Sequence, residues 1–195
     1  MFHEAVADLQ RADGGYQQYQ IAYQRRTQSG LSPEDIAFIE SRESVYLASV
    51  TPAGWPYVQH RGGPPGFLRV LGPTRLACAD YRGNRQFISM GNLGADDRVS
   101  LFLMDYVRKA RLKIQGRATL RDLADADPDV VGALSLEGVP VERILTIDVV
   151  AMDWNCPKYI PGFYPEAVVT QAIARATAPL QAEIEELKAK LALKD

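Results

Sequence analysis

Cysteine and histidine are scarce in this chain: Cys78, Cys156, His3 and His60 are all that its 195 residues contain. Two thiols make no disulfide framework, and four ligands so widely spread make a poor zinc site, so no metal is expected. Long apolar runs are missing as well, and none approaches the ~20 residues that a membrane-crossing helix requires. The start, Met1-Phe2-His3-Glu4, lacks the basic residues and apolar run of a signal peptide. Neither sign of charge is in excess: 22 Lys and Arg stand against 24 Asp and Glu, a formal net charge of −2. No global basic field therefore argues for nucleic acid, although a local basic cluster can still hold a small anion. The GxSxG, Walker A, GxGxxG and HExxH patterns are all absent, which disfavours a serine hydrolase, a P-loop enzyme, a Rossmann dehydrogenase and a zinc protease. What is left is a cytoplasmic globular protein that engages neither nucleic acid nor membrane.

Hydrophobic residues at 47% and charged residues at 24% are close to globular averages. One sizeable core with helical additions suits this length. Three textures follow one another. Residues 1–42 are polar and helix-prone, with Tyr16, Tyr19 and Tyr23 spaced as on one helix face. Within them Ser32-Pro33-Glu34-Asp35 reads as a helix start, with a Ser cap, Pro in the first turn and acids where the helix dipole favours them. Residues 43–160 hold short β-rich runs at 45–50, 55–61, 67–71, 75–79, 98–104, 110–115 and 144–152, separated by turn residues such as Thr51-Pro52-Ala53-Gly54. Two helical stretches interrupt them, one of them over 126–137. Short strands with tight turns favour an antiparallel barrel over a parallel sheet. From 165 to 195 the texture is that of an amphipathic helix, in which Leu180, Ile184, Leu187 and Leu191 step by four, three and four. This seam is expected to pack on the body of the protein or on a partner subunit.

Four stretches hold residues able to carry chemistry. In the first, a strand runs to Asp80, a Gly-containing turn carries Arg82, and a helix is expected to start near Asn84, followed by Arg85 and Gln86. A helix start offers unpaired N–H groups and partial positive charge to a phosphate, and the two arginines add cationic forks. The same residues also suit a solvated turn. The second stretch is Gln59-His60-Arg61-Gly62, leading into Gly63-Pro64-Pro65-Gly66. Residues without a Cβ let a flat ligand approach the backbone, and a plain hairpin loop is the alternative. In the third, Arg111 and Lys113 share one face of a strand whose other face carries Leu112 and Ile114. Such a face lines an anion pocket or is simply the wet side of the strand. The fourth is Trp154-Asn155-Cys156, an aromatic and an amide suited to cover a flat ring or to cap the end of the barrel. No base neighbours Cys156 in sequence, so a catalytic thiol is unsupported and no catalytic residue is assigned.

In this order, residues 38–160 resemble the pyridoxamine 5'-phosphate oxidase-like family of FMN-binding split barrels. The segments that carry the resemblance are Leu47-Ala48-Ser49-Val50, Gly54 through Gly63, Asp80 through Gln86, Arg98-Val99-Ser100-Leu101, Leu112 through Ala118, and Asp153 through Pro157. The resemblance implies a mainly β fold with flanking helices, built on a six-stranded antiparallel split β-barrel. It also implies a homodimer with FMN in clefts at the subunit interface. The strand of Gln59 to Gly62 would then run under the flavin ring, the turn from Asp80 to Gln86 would hold the phosphate, and Arg111 and Lys113 would add polar contacts. The family's oxidases bind their substrate phosphate through a C-terminal Arg-x-His segment, whereas this chain has Trp154-Asn155-Cys156-Pro157-Lys158 there and no histidine after His60. The expectation is an FMN-dependent oxidoreductase acting on a small molecule other than the vitamin-pathway substrate. The alternatives are a non-catalytic flavin-nucleotide carrier or sensor, and a deazaflavin-dependent reductase.

Overall fold

Apolar residues at every second position give the chain its sheet. In β1 (Ser44–Val50) Val45, Leu47 and Ser49 point inward; in β5 (Arg98–Asp105) Val99, Leu101 and Leu103 do so, and in β6 (Ala110–Asp122) Leu112, Ile114 and Ala118. Together with β2 (Pro56–Gly62), β3 (Leu68–Gly72), β4 (Arg75–Tyr81) and β7 (Val141–Trp154) they form one antiparallel sheet of order β2-β1-β5-β6-β7-β4-β3. A computed structural model provides these coordinates, and it describes residues 3–21, 30–134, 140–154 and 158–192.

The class is the expected one, mainly β with flanking helices, but the sheet has seven strands where six were expected. The five residues of β3 pair with β4 and add an edge strand of their own. Side chains from both halves of the sheet, among them Leu47, Leu68, Leu76, Leu101, Ile114 and Ile147, meet in the main core, and a smaller cluster of Ala77, Ala79, Leu134 and Ile144 forms apart from it. The sheet therefore curls on itself, with β2 and β3 as its ends. Curling demands a bulge on β7. Gln115 pairs with Ala151 and Gly116 with Val149, which leaves Val150 unpaired and exposed. A Cβ on Gly116 would lie 2.7 Å from the Asp148 carbonyl oxygen, so only glycine fits beside that bulge.

Helices α1 (Glu4–Ala12), α2 (Pro33–Glu40), α3 (Ile88–Ala95) and α4 (Pro128–Leu134) flank the sheet in the same unit, which spans Met1–Asp105 and Ala110–Lys158. The expected start of α2 is observed as a complete capping box: Asp35 N–H donates to Ser32 Oγ (3.2 Å), and Ser32 N–H to Asp35 Oδ2 (2.9 Å). Asp35 is buried, and its other oxygen accepts from Trp154 Nε1–H at 2.7 Å. The indole meets Phe38 edge-on at 4.6 Å, so β7 and α2 are fastened through one carboxylate and one aromatic pair. A second unit, Tyr106–Lys109 with Tyr159–Asp195, contains α5 (Glu166–Ala192). Tyr23, one of the three spaced tyrosines, lies outside the described residues.

Replacing Asp35 by Ala orphans both the indole N–H and the backbone N–H of the N-cap residue Ser32. The expected loss is about 2–3 kcal/mol in urea unfolding, with a smaller loss for Asp35→Asn, whose carbonyl still accepts. Equal stability of Asp35→Ala and the parent would show that this carboxylate fastens nothing.

Candidate functional site

Asp80 is the second-to-last residue of β4, and its side chain is only 13% exposed. A carboxylate this deep needs partners, and two guanidiniums supply them. Arg61 of β2 donates from Nη1 to Asp80 Oδ1, and Arg143 of β7 donates from Nε to Oδ2 at 2.7 Å. Arg143 is placed by register, lying directly opposite Asp80 in the β4–β7 ladder. Arg61 reaches Asp80 across the split, because β2 and β4 are not neighbours in the sheet. Glu142 continues the chain of charges, 3.2 Å from Arg143 Nη2 and 3.9 Å from Arg82 Nε.

These residues wall a cleft of about 240 Å³, lined on its other sides by the loop 82–86 and the start of α3. Four arginines (61, 82, 85 and 143) line it against two carboxylates, Asp80 and Glu142. The lining therefore has two positive charges in excess. Of the three side-chain donors buried without a hydrogen-bond partner among the described residues, two, Arg61 Nε and Tyr81 Oη, belong to residues that line the cleft, and the third is Arg111 Nε. The free Tyr81 hydroxyl is held above its ordinary pKa by burial.

The loop reaches the helix through unusual backbone. Arg85 (φ 61°) and Phe87 (φ 53°) both adopt the left-handed region that most side chains avoid. Phe87 is the N-cap of α3 and its side chain makes no capping bond, and the first residues of the helix, Ile88, Ser89 and Met90, line the cleft. The helix thus starts at Ile88, four residues later than the sequence suggests, because Asn84 uses its side chain to accept from Gln86 N–H (3.2 Å) in a local turn. The guanidiniums of Arg85 and Arg143 both lie over the Phe87 ring, at 5.7 and 5.6 Å from its centroid. Ser89 Oγ–H donates to Gln59 Oε1 at 2.7 Å, which fixes α3 against β2.

Gln59, Arg61, Gly62, Asp80, Arg82, Asn84, Arg85 and Gln86 are thus brought together around this cleft. His60 also borders it, but its ring turns to the outer face of the sheet and meets Tyr46 edge-on at 5.6 Å, as strand alternation requires. Arg111 and Lys113 do not line the cleft. They too stand on the outer face, Arg111 over the Phe102 ring at 5.6 Å and Lys113 bonded to Asp153 at 2.9 Å. Trp154 is committed to Asp35 and Phe38 away from the cleft, and Asn155 and Cys156 lie outside the described residues. Arg143, Glu142, Tyr81, Phe87 and Ser89 are among the lining residues that sequence reasoning missed. Arg143 comes in by register, and Glu142 by the irregularity at which the β4–β7 pairing steps from Asp80–Arg143 to Tyr81–Val141, whereas the aromatic two residues after Arg85 was visible as a possible ring partner.

Cys78, beneath Asp80, is fully buried, and that burial pushes its thiol up to about 12. Among the described residues no three His, Cys, Asp or Glu gather as a metal site, and no helix is long and apolar enough to cross a membrane.

The family model for pyridoxamine 5'-phosphate oxidase matches residues 31–141. No curated protein matches the chain in sequence. Among solved structures, a point variant of HupZ from Group A Streptococcus is similar to this chain at 13% identity and a TM-score of 0.53, over 64% of this chain and 99% of that one. HupZ itself is similar at 12% identity and a TM-score of 0.51, over 69% and 98%. At such identities the likeness is one of fold.

Removing the carboxylate of Asp80 leaves two buried guanidiniums facing each other, so Asp80→Ala is expected to cost about 3–5 kcal/mol in urea unfolding. A loss no larger than that of an exposed acid such as Asp129→Ala would remove the network from the fold's supports. The thiol gives a second test. The folded chain keeps Cys78 protonated while the unfolded chain ionises it near pH 9, so its contribution is complete below pH 9 and is lost as pH rises toward 12. Stability should therefore fall less steeply above pH 9 in Cys78→Ala than in the parent; identical alkaline slopes would contradict the buried neutral thiol.

Proposed function

The chain belongs to the pyridoxamine 5'-phosphate oxidase family, and from that premise we propose that it is an FMN-binding oxidoreductase, dimeric in its working form, acting on a small molecule. The observation that carries this reading is the charge of the cleft. Two guanidiniums in excess, two buried donors without partners and the uncapped start of α3 converge on one mouth. A phosphate monoester brings about −1.5 to −2 charges and three acceptor oxygens, which suits that excess. The residues present therefore fit the phosphate end of the cofactor.

Arg85, Asn84 and the first N–H groups of α3 would hold the phosphate. Gln59 and Arg61 on β2, and Phe87 beside them, would border the ring system. The flavin supplies the hydride and electron chemistry when bound, and the protein's part is to place it, tune it and shield it from water. The Asp80 carboxylate contributes by holding Arg61 and Arg143 rigidly, so that their fixed dipoles need no rearrangement when the ligand arrives.

A cleft of about 240 Å³ is smaller than the ~300–1,000 Å³ usual for sites of drug-sized ligands. This supports a site completed by a second copy. The outer face of β1, β2, β5 and β6 offers a surface for it, with Tyr46 and Val58 exposed, Phe102 half-buried, and Arg111 and Lys113 among them. On this reading Arg111 and Lys113 serve the cofactor of the partner subunit and not that of their own cleft. The missing Arg-x-His segment argues against the vitamin-pathway substrate.

Fluorescence titration with FMN tests the site. Arg85→Ala is expected to weaken binding by about 1–3 kcal/mol, with Arg75→Ala, outside the cleft, as the unaffected control. Unchanged affinity in Arg85→Ala would move the phosphate elsewhere. The oxidoreductase reading itself predicts that the yellow protein bleaches with NADH or NADPH under nitrogen and recolours in air. A colour that persists with both donors would favour a carrier.

A further inference from the structure

Helix α5 exposes its whole apolar seam: Ile173, Leu180, Ile184, Leu187 and Leu191 are between 50% and 69% exposed, and the helix buries no residue. Two features of the sequence on this helix say what covers the seam. The first is its heptad phase. With Ile184 at core position a, the a positions are Thr170, Thr177, Ile184 and Leu191, and the d positions are Ile173, Leu180 and Leu187. Ile184 at a between Leu180 and Leu187 at d is the apolar β-branched and leucine combination that favours two parallel strands, and Thr170 and Thr177 keep the β-branched shape at the other two a positions toward the start of the helix. Thr177 brings no unmet polar group into such a seam, because its hydroxyl donates to the Ile173 carbonyl at 3.0 Å. Pro179, the one helix-breaking residue of α5, falls on outward position c, where its ring faces away from the seam.

The second feature is charge. Glu183 lies at g and Lys188 at e; among the described residues Glu183 makes no ion pair, while Lys188 Nζ lies 2.9 Å from Glu185 Oε1 of its own helix in an exposed pair that is weak enough to be exchanged. Residues five apart lie on different sides of one helix and do not meet within it. In a parallel, in-register pair, however, a g residue faces the e residue of the next heptad on the other strand. Glu183 then meets Lys188 of the partner subunit. An antiparallel pair covering the same seam would instead set Glu183 against Glu183 of the partner subunit. The helix has four acids against three bases, so it offers no cationic face to an anionic lipid surface.

We infer that α5 pairs with α5 of a second copy of this chain as a parallel, in-register two-stranded coiled coil, selected by reciprocal Glu183–Lys188 contacts. The inference is independent of the flavin reading. A flavin-free dimer satisfies it equally.

The test uses the full chain without added FMN, in a Cys156→Ser background. Leu180→Cys, at d, is expected to form a disulfide-linked dimer under mild oxidation about tenfold faster than Ala189→Cys, on the outward face. Equal rates overturn the proposal, whether the helix lies on its own barrel or on another protein. Adding Glu183→Lys or Lys188→Glu to Leu180→Cys should slow the cross-link, and adding both should restore it. Failure of the double exchange to restore the rate overturns the pairing. Loss of the cross-link with co-sedimentation on phosphatidylglycerol vesicles would assign the seam to lipid and overturn it as well.

Discussion

The carboxylate of Asp80, gripped on one side by Arg61 and on the other by Arg143, is the contact from which the rest of the barrel's working end follows. Isolated, it would be a costly buried charge, and so would either arginine. Together they join three strands, two of which are not sheet neighbours. The ladder of hydrogen bonds ends at β2 on one side and β3 on the other, so the split needs a fastening that backbone pairing does not provide. The fastening is ionic at Asp80 and apolar a few residues on, where a Cβ added to Gly63 would stand 2.6 Å from Phe67 and 2.8 Å from Tyr81. A glycine there lets the chain leaving β2 press against the opposite edge.

One consequence is the sign of the cleft. A single acid shared by two arginines leaves positive charge behind, and Arg82 and Arg85 add to it more than Glu142 removes. The backbone contributes in the same direction. Left-handed conformations at Arg85 and Phe87 turn the chain sharply enough to aim the start of α3 at the cleft. Such conformations cost of order 1–3 kcal/mol each and persist only where surroundings enforce them. Here the contacts of the Phe87 ring with two guanidiniums, and of Gln59 with Ser89, are the enforcing ones. A site held this way is organised before a ligand arrives, which lowers the ordering cost of binding.

Among the described residues, exposed apolar side chains include those of the outer sheet face around Tyr46 and Val58 and those of the α5 seam. They differ in kind. The sheet face mixes aromatics with Arg111 and Lys113, and suits an interface that also carries polar contacts. The helical seam is a stripe of aliphatics flanked by charges of both signs, and suits a partner of the same shape.

Local rules made much of this molecule legible from its sequence. The α2 capping box was written in Ser32-Pro33-Glu34-Asp35, the hairpin in Thr51 to Gly54, the facing of β6 in the alternation of Arg111, Lys113 and Gln115 with Leu112 and Ile114, and the length and seam of α5 in its leucine spacing. Each depends on residues within a few positions of one another, and periodicity records such relations directly. Cross-strand partners are not recorded that way. That Asp80 pairs with both Arg61 and Arg143, that Trp154 donates to Asp35, and that α3 starts at Ile88 and not near Asn84 were decided by register, curvature and the competition of Asn84 for its own turn. The chain's local chemistry chose its strands, helices and turns, while the closing of the sheet chose which distant charges would meet, because ionic and aromatic contacts depend on separation in space and not along the chain.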